Sequence, residues 1–357
     1  MKSQEALRKK QTRKTRLATR KWVVLAASAL FATSLSVNTA DAEMTLKANS
    51  QYSDVQSASK IDKWWAEEIS KRTEGEVNVK IFFSGALGKA QENLTLLQDG
   101  AIELAMMSPG YFPAELPFHA APNSIPMAMS GVEDAYDLMT RLMTTDSDIL
   151  EKEAAANGIK PLFFHYLNPY KLVCNKQISS LDQLSGLKIR TWGKDLPRAM
   201  EAVGATPVTL MFPDIYEALG RGTVDCIPVS VDLHLNYKFY EVAKHLHDVT
   251  IWVGPTAGTW IHLDAWNKLT PDQQAIIEQV SFEAMEKDRD ATLAAAGTAI
   301  EELKSLGMQF HDFPEADAAM WKEKIPDFFG DFIDDMEALG RGEDARRMIA
   351  IWNEVTE

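Results

Sequence analysis

The sequence predicts an α/β protein of two lobes bridged by one long helix. Three observations carry this. Short apolar strands alternate with helical stretches between residues 44 and 229, the pattern of βα units on a largely parallel sheet. Residues 43–357 are enough chain for two cores rather than one. A helical pattern near 270–306 is about 54 Å long at ~1.5 Å per residue, more than one small lobe accommodates.

The chain opens with a leader. Residues 1–21 hold nine basic residues and one acid, Glu5. An apolar run, Trp22–Val37, follows, with Ser and Thr inside it, short of the ~20 residues a spanning helix needs. It closes on Ala40-Asp41-Ala42, a small-residue cleavage signature. Residues 1–42 therefore read as a secretory signal peptide, cleaved after Ala42. The residue directly after that site is Glu43 rather than a cysteine, so a lipid anchor is not expected. No membrane insertion is expected after cleavage.

Without the leader, 28 Lys and Arg face 49 Asp and Glu, a net charge of −21. Such a chain is not expected to bind nucleic acid or an anionic membrane surface. The two cysteines, Cys174 and Cys226, lie in predicted strands of an exported chain, where a disulfide is permitted. The residues favour buried free thiols and leave a bridge open. Two cysteines without histidines at ligand spacing argue against a metal site.

In order, 44–48 reads as a strand and 54–73 as a helix with Ile61, Trp65 and Ile69 on one stripe. Val77, Val79 and Ile81 alternate as a half-buried strand. A helix over 89–99 precedes a buried strand, 101–107, and the loop Ser108–Pro113, whose aromatics either line a pocket or pack the turn. The span 114–145 shows one helix, 132–144. A helix over 147–157, strands 160–166 and 172–174, and strand–helix pairs 187–190 with 194–203 and 206–210 with 214–220 come next. Strand 224–229 ends the alternation. Thr270 and Gln273 form a capping box with Pro271 between them, opening the long helix, expected to kink near 288–296. Strand 308–311 and helices 315–338 and 342–354 close the chain.

Within this order, Leu184–Gly193 stands out. Arg190 falls at the end of its strand with Trp192 two residues on, on the same face. Ligands of open α/β sheets bind beyond the carboxyl ends of strands, and an arginine offers a carboxylate a planar fork of donors. These residues alone favour a surface arginine in a salt bridge.

The sequence also resembles a family. The Leu87-Gly88 loop with Glu92, then LQDGAIELAMMSPG, SSLDQLSGLKIR, AVGATPVTLMFPDIYEALGRGTVDC, FYEVAKHL and WNKLTPDQQAII occur in this order. They resemble the DctP-type solute-binding proteins of TRAP transporters over nearly all of residues 43–357. The resemblance implies a two-lobed periplasmic binding protein fold, a flytrap closing on one ligand. Lobe I is expected over 43–167 and 256–290, lobe II over 168–255 and 291–357, with the long helix spanning both. It implies a monomer without enzymatic activity or cofactor, which captures an organic acid anion in the periplasm and delivers it to the TRAP membrane permease subunits. In the family the arginine of GLKIR, here Arg190, pairs with the ligand carboxylate, which reverses the reading above. Trp192, Tyr170, Tyr111, Phe212, Ser230, Trp260 and Glu92 complete the expected ligand-binding set; Glu92 reads equally as an exposed helix acid.

Three departures bear on the ligand. Where sialic-acid-type members carry a second arginine, this chain reads Asn168-Pro169-Tyr170-Lys171; where many members carry a ligand-contacting asparagine, it reads Val229-Ser230; and where asparagine is common it carries His262. Together they point to a less hydroxylated acid: aromatic, keto, hydroxy or sulfonic.

Other classes fit less well. The motifs G-x-S-x-G, H-E-x-x-H, the P-loop and G-x-G-x-x-G do not occur. The seven histidines are scattered; His245 and His247 read as solvated or capping groups near a helix end. Asp225 reads as structural. A sensor presenting its bound acid to a membrane receptor would share the same fold and is the alternative function.

Overall fold

Strand and helix do alternate, but around two strands far longer than the rest. A computed structural model describes residues 43–357; the signal-peptide assignment, 1–42, lies outside them. The elements run β1 (Met44–Ser50), α1 (Ser57–Arg72), β2 (Val77–Phe82), α2 (Asn93–Gln98), β3 (Leu104–Met107), α3 (Pro117–Ser124), α4 (Val132–Met143), α5 (Asp148–Ala156) and β4 (Ile159–Cys174). Then come β5 (Lys188–Thr191), α6 (Asp195–Glu201), β6 (Thr206–Thr209), α7 (Ile215–Gly220), β7 (Cys226–Val229), α8 (Val231–Asn236), β8 (His245–His262) and α9 (Leu263–Trp266). The chain closes with α10 (Pro271–Ser305), β9 (Gln309–Asp312), α11 (Glu315–Lys324), α12 (Phe328–Ala338) and α13 (Gly342–Thr356).

Among the described residues nine strands join one sheet, ordered β2-β1-β3-β8-β4-β7-β5-β6, with β9 on β8. The flanks are parallel, as the βα pattern predicts: β2 on β1 on β3, and β7 on β5 on β6. The centre corrects the expectation of a largely parallel sheet. Strands β4 and β8 pair antiparallel along their length, and each pairs antiparallel with its flank. The two stretches read as strands 160–166 and 172–174 are one 16-residue strand. Its register against β8 shifts repeatedly between Pro161 and Leu172, and such bulges bend and twist a strand.

Two hydrophobic cores result. Leu46, Trp65, Leu104, Phe163 and Trp260 belong to the first; Leu172, Ile189, Phe212, Ile227 and Trp252 belong to the second. The long helix serves both. Ile277, Val280 and Ala284 of α10 pack in the first core, Ala299 and Leu303 in the second. Its 35 residues run unbroken through 288–296, with Thr270 and Gln273 forming the expected capping box.

Where α10 passes from one core to the other, polar groups hold it. Asp288 Oδ2 accepts from Tyr166 N at 2.7 Å, and Asn168 Nδ2 donates to Thr292 O at 2.8 Å. The His165 ring lies between Asp288 Oδ1 at 2.8 Å and Asp62 Oδ1 at 2.9 Å, tying α1, β4 and α10 at one buried point.

Four local expectations need correction. Helix α3 lies inside 114–145, where only one helix was expected; two prolines, Pro117 and Pro122, obscure it. The 315–338 helix is two, parted at Pro326, because a residue before proline is held extended. Residues 291–357 do not all join the second core: Trp321 does, but Phe328, Phe332, Met348 and Trp352 return to the first. Cys174 and Cys226 form a disulfide. They sit directly opposite on β4 and β7, which sequence separation alone could not reveal.

Candidate functional site

Strand β5 is pinned at its start by Asp225, whose Oδ2 accepts from Lys188 N at 2.9 Å, the structural role expected of it. Two residues on, Arg190 reaches the junction of the two cores. Outward from the strand here means toward the other lobe rather than toward water, and the side chain is 2% exposed. Its Nε donates to Leu210 O at 3.2 Å, and its guanidinium lies 4.3 Å from the centre of the Trp192 ring. Among the described residues no carboxylate lies within ion-pair distance of it. A buried cation without a counter-ion is costly, and it borders a cavity lined also by Tyr111, Tyr170, Trp192 and Phe212. Five of the eight expected ligand residues thus surround one space.

Each wall is held by packing or hydrogen bonds. Tyr170, Trp192 and Trp252 meet edge to face, with centroids 5.0–5.7 Å apart, the geometry aromatic quadrupoles favour. Trp192 Nε1 donates to Asn123 O at 2.9 Å, and Tyr111 OH accepts from Phe212 N at 2.8 Å. Both bonds connect the first-core side to the second. Gly193 makes the first possible: its φ is +66°, and a Cβ there would come within 2.5 Å of Ser124 Cβ. Asn123 Nδ2 donates to Pro255 O and Thr256 O at 2.8 and 3.0 Å, while its Oδ1 accepts from Ser108 Oγ at 3.1 Å. Burial raises the Tyr52, Tyr111 and Tyr170 hydroxyl pKa values, with Arg190 pulling the latter two back down; all three stay neutral donors.

Three expected residues stand elsewhere. Glu92 is exposed and caps its own helical turn, accepting from Lys89 N at 2.7 Å. Ser230 is fully buried ahead of α8 and does not line the cavity. Trp260 turns into the first core, edge-on to Phe164 at 5.5 Å; it lies on the stretch of β8 that pairs with β3, away from the stretch around Trp252 that reaches the cavity. Lys171 also points away, pairing with Asp248 at 2.6 Å.

Tyr52, Gln56, Ser108, Asn123, Leu233, Trp252 and Thr256 line the cavity without having been singled out. Trp252 Nε1, in the wall of the cavity, is buried without a protein partner, a placement visible only in three dimensions. The histidine expectation also changes. His245 and His247 share a face of β8, each stacked on His311 of β9 at 5.2 Å. His247 accepts from Ile178 N and faces Leu172 O, and burial holds its pKa down at about 4. Among the described residues no cluster has the geometry of a metal site.

The model of bacterial extracellular solute-binding proteins, family 7 (DctP), matches residues 49–333. The chain belongs to this family. Among the DctP relatives, the C4-dicarboxylate-binding periplasmic protein of Rhodobacter capsulatus is 25% identical, over 72% of this chain and 78% of that one. A TRAP periplasmic solute-binding protein of Desulfovibrio salexigens, solved with orotic acid, superposes with a TM-score of 0.77 at 24% identity, covering 87% of this chain and 98% of that one. One of Roseobacter denitrificans, solved with β-D-glucuronate, gives 0.77 at 17% identity, covering 88% of this chain and 100% of that one. The fold is thus the two-lobe fold of TRAP solute-binding proteins, and the family binds solutes rather than transforming them.

Proposed function

We propose that this DctP-family protein captures a small organic acid between its lobes, its carboxylate paired with Arg190, and delivers it to a TRAP membrane permease. The observation that carries this is the Arg190 guanidinium, buried, without a carboxylate partner among the described residues, and bordering a cavity. A bidentate carboxylate would satisfy its fork and cancel its charge. Orotic acid in the Desulfovibrio protein and glucuronate in the Roseobacter protein are both carboxylic acids, which supports the same chemistry here. The basic, then apolar, start of the chain and its Ala40-Asp41-Ala42 end support export by a cleaved signal peptide to the periplasm. Among the described residues no helix is long and apolar enough to cross a membrane.

The cavity leaves about 20 Å³ open to water, room for one or two water molecules. An acid therefore enters as the walls part and is enclosed as they return, which removes water and strengthens each contact. The test is a thermal-shift screen of residues 43–357, unfolded and refolded without reductant to strip carried ligand, against organic acids, sugars, amino acids and amines. A ligand at 100 times its dissociation constant adds about 2.7 kcal/mol. Carboxylates are expected to raise the melting point. A screen in which only neutral or cationic compounds do so overturns the assignment.

A further inference from the structure

The charges and walls of the cavity narrow the acid further. Among the described residues lining it, Arg190 is the one with a formal charge; the others are aromatic, aliphatic or neutral polar groups. One carboxylate cancels that charge. A second carboxylate finds no second cation, and an ammonium group finds no carboxylate; either is left unpaired in an enclosed site, which is costly.

Hydroxyl groups fare little better. The Asn123 amide nitrogen is spent on two backbone carbonyls, Ser108 Oγ donates to Asn123 Oδ1, and Gln56 Oε1 accepts from Tyr237 OH. The Tyr52, Tyr111 and Tyr170 hydroxyls and the unpartnered Trp252 Nε1 remain, all carried at ring edges; a sugar acid would have to satisfy several hydroxyls from these few groups in an enclosed site. The faces that remain are rings: Tyr170, Trp192 and Trp252 in mutual edge-to-face contact, with Phe212 beside them. Because the walls must part to admit anything, a flat ligand needs the least parting, and its faces complement aromatic walls.

We propose that the ligand is a flat carboxylate with a single negative charge, an aromatic or conjugated monocarboxylate. It is not a dicarboxylate, a zwitterionic amino acid or a sugar acid. This rests on the reading that Arg190 takes a carboxylate. The test is calorimetric titration of the ligand-stripped protein with benzoate, 2-furoate, cyclohexanecarboxylate, fumarate, phenylalanine, glucuronate and benzamide. Benzoate or 2-furoate is expected to bind about 100-fold more tightly than fumarate, phenylalanine or glucuronate, the penalty of an unpaired buried group. It is expected to bind about tenfold more tightly than the puckered cyclohexanecarboxylate. If fumarate, phenylalanine, glucuronate or cyclohexanecarboxylate binds as tightly as the flat acids, the proposal fails while the carboxylate reading stands. If benzamide matches benzoate, or no acid binds, the carboxylate reading fails with it.

Discussion

Arg190 and His165 are both buried cations in this protein's interior, and their surroundings assign them opposite work. Arg190 has one backbone acceptor, Leu210 O, and the Tyr111 hydroxyl beside it; a guanidinium carries five donors, and no carboxylate of the described residues takes up the rest. His165 has both ring nitrogens engaged by carboxylates, Asp288 and Asp62, so its charge is consumed by structure. Burial alone would lower the His165 pKa, but the two carboxylates outweigh it and push it up to about 10. Because the folded value lies above the ordinary ~6.5, the stabilisation is fully present below about pH 6.5. It is lost as pH rises through about 10. Denaturant unfolding between pH 6.5 and 10 should therefore show stability falling by about 1.4 kcal/mol per pH unit from this group. His165→Gln should lower stability at pH 7 by about 3–5 kcal/mol and abolish that slope. A wild-type profile as flat as the variant's would contradict an imidazolium at this site.

The short strands and helices were legible because each repeats one simple period, and β5 with its arginine was legible from the GLKIR run. The long strands were not. No strand is expected over 245–262, which Gly254, Pro255 and Gly258 interrupt, yet this is one 18-residue strand. The glycines serve close approach instead: a Cβ at Gly254 would meet Pro122 O at 2.5 Å. Losing that strand cost the reading Trp252, which lies 62 positions from Arg190 and reaches the cavity only through β8. Ser230 and Trp260 stand off the cavity because of where they lie along the chain: Ser230 is buried ahead of α8, and Trp260 falls on the stretch of β8 paired with β3. The disulfide joins β4 to β7 across 52 residues. Closing such a loop is worth about 4 kcal/mol in the chain-entropy account. Replacing Cys174 and Cys226 together with Ala should lower the melting temperature by several degrees while leaving ligand affinity within about twofold, since neither lines the cavity. An unchanged melting temperature would show the bridge to be dispensable.

The two cores meet at one anion-seeking group inside a strongly acidic protein. Residues 43–357 carry a net charge of −21, so the long-range field repels the anion proposed to pair with Arg190 at short range. Screening acts over ~8–10 Å at moderate salt and weakens the repulsion before it reaches the buried pair. Association of a carboxylate, followed by tryptophan fluorescence in stopped flow, should accelerate as salt rises from 10 to about 200 mM. A rate that falls with salt would mean that positive charge near the cleft steers the encounter. The two-lobe organisation followed from chain length and the long helix; the return of α12 and α13 to the first core did not, because nothing in a helix's own period says which core it covers. The most direct measurement is the affinity of the best carboxylate for Arg190→Ala and Arg190→Lys, beside their melting temperatures. Binding is expected to be lost by at least about 100-fold in Arg190→Ala and weakened in Arg190→Lys, which keeps the charge without the fork. Melting should be unchanged or raised in Arg190→Ala, because an unpaired buried charge is gone. Carboxylate affinity that survives Arg190→Ala would contradict the pairing of the ligand with Arg190.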